Sequence, residues 1–99
     1  MNEPSNESQQ LVRRRVIYHG RVQGVGFRYT TASIARRFPV TGYVKNLPNG
    51  TVELVIEGSS ASLDAFVAEV SARFDRNIVR VDCEELASDG SFVEFGIRY

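Results

Sequence analysis

Several residue types are almost missing from this chain of 99 residues. A single cysteine, Cys83, excludes an internal disulfide and any Cys-x-x-Cys metal or redox motif. A single histidine, His19, excludes a multi-histidine metal site. A Cys83/His19 dyad is conceivable, but nothing around Cys83 marks it as a nucleophile, and it reads as a small apolar strand residue. No apolar run is long enough to span a membrane. Met1 to Gln10 lacks the apolar core of a secretory signal, so the expected compartment is the cytoplasm. There is no net charge either: 12 basic and 12 acidic residues cancel, which argues against a general nucleic-acid binder.

What is present describes one globular domain. Hydrophobic residues make up 42% and charged residues 24%, and a chain of this length buries roughly 60–65% of its unfolded surface around one modest core. The zero net charge conceals a sorting along the chain. No acid lies between Ser8 and Val52, yet that stretch holds Arg13, Arg14, Arg15, Arg21, Arg28, Arg36, Arg37 and Lys45. Ten acids lie from Glu53 onward against four arginines. The first half is an anion-seeking segment inside a neutral protein. Arg21, Arg36 and Arg37 are expected in solvent, and Arg13-Arg14-Arg15 reads as protection of an edge strand.

Residues 1–10 read as a disordered polar tail and 11–99 as the folded domain. Leu11–His19 reads as a strand with imperfect alternation. The three-glycine segment Gly20–Phe27 follows, leading into a helix over Arg28–Phe38 that Pro39 stops. Val40–Asn46 and Thr51–Glu57 read as a hairpin through the turn Leu47-Pro48-Asn49-Gly50, with Val52, Leu54 and Ile56 on one face of the second strand. Gly58-Ser59-Ser60 offers a helix cap, and Leu63, Phe66, Val67, Val70 and Phe74 form the apolar stripe of a second helix. Strands over Ile78–Leu86 and Phe92–Tyr99 complete the order β-α-β-β-α-β-β. This predicts an α+β fold, a ferredoxin-like split β-α-β sandwich. A fifth strand lies at an edge, and an antiparallel sheet carries both helices on one face.

The loop Gly20-Arg-Val-Gln-Gly-Val-Gly-Phe-Arg28 joins a strand to a helix, a setting that suits anions: glycines let successive N–H groups turn inward, and the helix start adds unpaired donors. Its spacing matches neither a dinucleotide fingerprint nor a P-loop. A tight turn with no ligand explains the three glycines about as well. As a whole, however, the segment resembles the first motif of acylphosphatases, G-x-V-Q-G-V-x-F-R. Gly42-Tyr-Val-Lys-Asn46 with Gly50-Thr-Val52 resembles the second, G-x-V-x-N with a downstream G-x-V. The resemblance runs from about Val16 to Tyr99 and implies the same fold.

It also implies roles. Arg28 would anchor a phosphate, with the backbone N–H groups of Gln23, Gly24, Val25, Gly26 and Phe27, and Asn46 would hold the attacking water. The implied reaction is hydrolysis of small-molecule acyl phosphates to carboxylate and inorganic phosphate, with no metal, no cofactor and no covalent intermediate. The implied enzyme is a free-standing monomer without a nucleic-acid or membrane partner. Chemistry permits so small a site, because a carboxylate is a good leaving group and the arginine fork can grip two phosphoryl oxygens at any relevant pH. His19, one residue before the loop, is given no catalytic part. Two alternatives stand beside this reading. One is a non-catalytic anion- or ligand-binding module on the same fold. An RNA-recognition version is opposed by the third strand, which has no aromatic residue and carries Glu53 and Glu57. The other is a domain of a larger maturation enzyme acting on carbamoyl phosphate, disfavoured because the chain ends at Tyr99.

Overall fold

A computed structural model describes residues 10–99; apart from Gln10, the tail expectation lies outside them. Seven elements follow in order: β1 (Leu11–Gly20), α1 (Phe27–Ala35), β2 (Thr41–Asn46), β3 (Val52–Ser59), α2 (Ser60–Arg73), β4 (Ile78–Leu86) and β5 (Phe95–Arg98). The sheet order is β4-β1-β3-β2-β5. Among the described residues no helix is long and apolar enough to cross a membrane.

The expected α+β sandwich is present, with one correction: the sheet is mixed. β4, β1, β3 and β2 pair antiparallel, but β5 runs parallel to β2. The topology forces this. β4 lies at one edge and runs against β1, so the chain turns after Leu86, crosses the end of the sheet and comes back along the far edge in the direction of β2. β5 is also shorter than the alternation over Phe92–Tyr99 suggested, because Phe92 leaves the ladder to pack edge-on against Tyr43, with ring centroids 5.9 Å apart.

Both helices cover one face. Val16 and Tyr18 of β1, Val44 of β2, and Val52, Leu54 and Ile56 of β3 form one core with Phe27, Ile34, Ala35, Leu63, Phe66, Val70 and Phe74. The stripes are those the 3.6-residue spacing requires. Ser59 caps α2 by accepting the Ser62 N–H at 3.1 Å. α1 stops as regular helix at Ala35, three residues short of expectation. The N–H groups of Arg36, Arg37 and Phe38 bond to carbonyls three residues back, a tighter turn that brings the chain to Pro39.

The other face of the sheet is ionic. β3 is the central strand, and even its outward acids Glu53 and Glu57 are buried. Arg13 Nε donates to Glu57 at 2.8 Å and Arg15 Nε to Glu53 at 2.7 Å. Arg14, of opposite parity, reaches Asp64 and Ser60 on α2. The three arginines therefore do not guard an edge, since β1 lies inside the sheet; they neutralise acids of the later half. Arg37, expected in solvent, pairs with Glu69 at the surface, at 2.8 Å.

Candidate active site

β1 ends at Gly20, where the register with β4 shifts and the Arg21 N–H donates to the Asn77 carbonyl at 2.9 Å. From there the loop is fastened at three points. Val22 is fully buried. Gln23 Nε2 donates to the carbonyls of Leu47 at 2.8 Å and Thr51 at 2.9 Å, tying the loop to the β2–β3 turn. Phe27 sits in the core, stacked on Phe74 with centroids 4.4 Å apart. Between these fixed points Gly24, Val25 and Gly26 are exposed. Gly24 and Gly26 both have φ of +78°, a left-handed conformation that side chains resist, and a Cβ at either would meet nothing within 4 Å. The glycines serve backbone direction here rather than close packing.

Gly26 caps α1 without a side-chain acceptor, and the first turn holds no acid. The first internal bond of the helix is the Thr30 N–H to the Gly26 carbonyl, 3.0 Å. The N–H groups of Phe27, Arg28 and Tyr29 thus have no acceptor within the helix, and the positive end of the helix dipole is uncompensated. A cavity of about 220 Å³ opens at this point, lined by Val22, Gly24, Gly26, Phe27, Arg28, Tyr29 and Asn46.

Arg28 is the arginine that lines this cavity, and among the described residues it is unpaired there. Arg13, Arg14, Arg15 and Arg37 are each ion-paired. Among the described residues Arg28 has no acid within salt-bridge distance. It makes a long 3.5 Å hydrogen bond to the Arg98 carbonyl, and its guanidinium lies 4.7 Å from the Tyr99 ring centre. Asn46 is the last residue of β2, brought beside the helix start by the same turn that Gln23 clasps. Its Oδ1 is buried with no hydrogen-bond partner among the described residues. No bond at that oxygen locks the amide in one orientation.

The structure thus brings Arg28 and Asn46 together with Gly24, Gly26 and Phe27. Gln23 and Val25 do not line the cavity: Gln23 fastens the loop, and the Val25 side chain is turned to solvent. His19 is apart from it, with Nε2 2.9 Å from Asp82 Oδ2 and 3.2 Å from Arg80. No cluster of three His, Cys, Asp or Glu among the described residues is placed to hold a metal. Sequence reasoning missed Tyr29, which lines the cavity, and Tyr99, which stacks on Arg28. The signal for Tyr99 was its parity: it continues Phe95 and Ile97, which pack against the helix-side core.

A family model described as Acylphosphatase matches residues 14–97. A relative named Acylphosphatase from Methylococcus capsulatus is 43% identical over 90 residues, covering 88% of this chain and 96% of the relative. The crystal structure of acylphosphatase from Bacillus subtilis superposes with a TM-score of 0.79 at 34% identity, covering 91% of this chain and 100% of that one. Full-length HypF in its phosphate- and nucleotide-bound form also superposes with a TM-score of 0.79, at 27% identity, covering 92% of this chain but 12% of HypF.

Proposed function

The chain belongs to the acylphosphatase family and is an enzyme that hydrolyses acyl phosphates, and from that premise we propose that Arg28 and the loop N–H groups hold the phosphoryl group while Asn46 orients the attacking water. The observation that carries this reading is the unpaired guanidinium of Arg28 at a helix start without a side-chain cap, with Asn46 on the same cavity. The N–H groups of Phe27, Arg28 and Tyr29 need acceptors, and peripheral phosphoryl oxygens supply them. The Arg28 fork takes two oxygens and keeps its charge across the working pH range.

The Asn46 amide accepts a hydrogen from water at Oδ1 and donates from Nδ2 to a phosphoryl oxygen. It is not a base. The water oxygen forms a bond to phosphorus as the bond from phosphorus to the carboxyl oxygen breaks, and the electron pair leaves with the carboxylate. The water proton passes to a phosphoryl oxygen or to solvent. Catalysis on this account is positioning plus stabilisation of charge on the peripheral oxygens.

The enzyme is read as a cytoplasmic monomer whose partner is its small substrate. Supporting the absence of a nucleic-acid partner, all three arginines of β1 are already neutralised by acids, two of them by the buried Glu53 and Glu57 of the central strand. Hydrolysis of benzoyl phosphate in water enriched in oxygen-18 tests the site of attack. All label is expected in inorganic phosphate; label in benzoate would put the attack on the carbonyl carbon and remove the role given to Asn46.

A further inference from the structure

Two large aromatic side chains stand in solvent at the rim of the cavity, where the mechanism gives them nothing to do. Tyr29 is 65% exposed and Tyr99 81% exposed. Tyr29 follows Arg28 in the first turn of α1 and lines the cavity directly. Tyr99 comes from the far edge of the sheet. The two hydroxyls face each other at 3.3 Å, and the Tyr99 ring receives the Arg28 guanidinium at 4.7 Å. The polar tips partner one another, which leaves ring surface available beside the arginine. Each ring offers a flat apolar face on which a second planar group can stack.

We propose that Tyr29 and Tyr99 form an aromatic wall that holds the acyl group of the substrate, so that acyl phosphates with a planar aromatic acyl group are preferred to short aliphatic ones. The inference rests on the reading of the cavity as the phosphate site. With the phosphoryl group on Arg28 and the loop N–H groups, the acyl carbon is one bridging oxygen from phosphorus. The remainder of the acyl group must leave the cavity at its rim, beside these rings. A cavity of about 220 Å³ falls below the about 300–1,000 Å³ usual for a drug-sized ligand, so it suits a phosphoryl head with the acyl group lying against the rim. Electrostatics allow the approach. The Tyr29 hydroxyl raises the Tyr99 phenol above its ordinary value, with Arg28 opposing, so Tyr99 is neutral at neutral pH. No acid lines the cavity. An anionic substrate therefore meets no like charge there.

The test compares benzoyl phosphate with acetyl phosphate as substrates of the wild type, Tyr29→Ala and Tyr29→Phe, with inorganic phosphate as a competitive inhibitor of each. Tyr29→Ala should lower the ratio of kcat/KM for benzoyl over acetyl phosphate by about 3- to 10-fold, mainly through KM, as expected for one ring–ring contact. Tyr29→Phe keeps the ring and should hold the ratio within about twofold, because the preference belongs to the ring face rather than the hydroxyl. An unchanged ratio in Tyr29→Ala, or an equal fall for both substrates, would overturn the wall and leave Tyr29 a merely structural residue. Inorganic phosphate separates this from failure of the underlying reading: if it competes in the wild type and loses affinity in Arg28→Ala, the phosphate site stands whatever the ratio does.

Discussion

Single residues divide here by whether their polar groups are satisfied. Glu57, with a side chain 1% exposed, is met by Arg13 and by the Asp89 N–H, so its burial is compensated. The Asn46 Oδ1 and the Tyr18 hydroxyl are not met by any described residue. For Asn46 the cavity supplies a use. For Tyr18, packed against Phe27 with centroids 5.0 Å apart, it does not. Burial pushes the Tyr18 phenol well above its ordinary value, opposed by the nearby Ser71 side chain, which falls short of hydrogen-bond geometry. A phenol with a raised folded pKa contributes stability that is whole below the unfolded value, about 10, and is lost as pH rises toward the folded one. Tyr18→Phe should therefore raise stability at pH 7 by about 1 kcal/mol and flatten the decline above about pH 10, read from urea unfolding midpoints. A destabilised Tyr18→Phe would mean the hydroxyl has a partner after all. Arg28 and Asn46 were legible because each sits in a motif with fixed neighbours. Tyr29 and Tyr99 were not, because their proximity depends on how the fifth strand crosses the sheet.

At the scale of elements, the site is made by coupling three pieces: the end of β1, the start of α1 and the β2–β3 turn. The turn is stiffened from within, as Asn49 Oδ1 accepts from the Thr51 N–H and hydroxyl at 3.1 and 2.6 Å. Gln23 then joins turn to loop. Gly42 lets β2 lie against β3, for a Cβ there would overlap the Val55 carbonyl oxygen at a φ of +134°. Gln23→Ala should lower kcat by about tenfold or more through misplacement of Asn46 relative to Arg28. The cost in stability should be only about 1–2 kcal/mol, the loss of two hydrogen bonds to backbone carbonyls. A full loss of folding, or unchanged kcat, would contradict that positioning role. Sequence periodicity placed every element, since apolar stripes on β3 and α2 are strong. It missed ends where something tertiary intervenes: the tightened turn before Pro39, and Phe92, drawn off the ladder by Tyr43 and Arg13, whose guanidinium lies 4.5 Å from its ring centre.

For the whole molecule, the sorted charge acquires a meaning that the sequence order alone could not carry. The acids from Glu53 onward return to the arginines of the first half across the sheet and through α2, so that Arg13, Arg14, Arg15 and Arg37 are neutralised where they stand. Arg28, at a helix start with no acid in its first turn, keeps its charge for a ligand. Linear sequence shows the sorting but not the pairing, because the partners lie tens of residues apart; hence the mistaken inference that the β1 arginines shield an edge. The central claim is a division of labour, with Arg28 binding phosphate and Asn46 orienting water. It is tested most directly by benzoyl phosphate hydrolysis, with EDTA present, and inorganic phosphate binding in the wild type, Arg28→Ala and Asn46→Ala. Both variants should lose at least ~100-fold in kcat/KM, while phosphate binding weakens in Arg28→Ala alone. Activity that survives in Asn46→Ala, or phosphate binding that survives intact in Arg28→Ala, would contradict it.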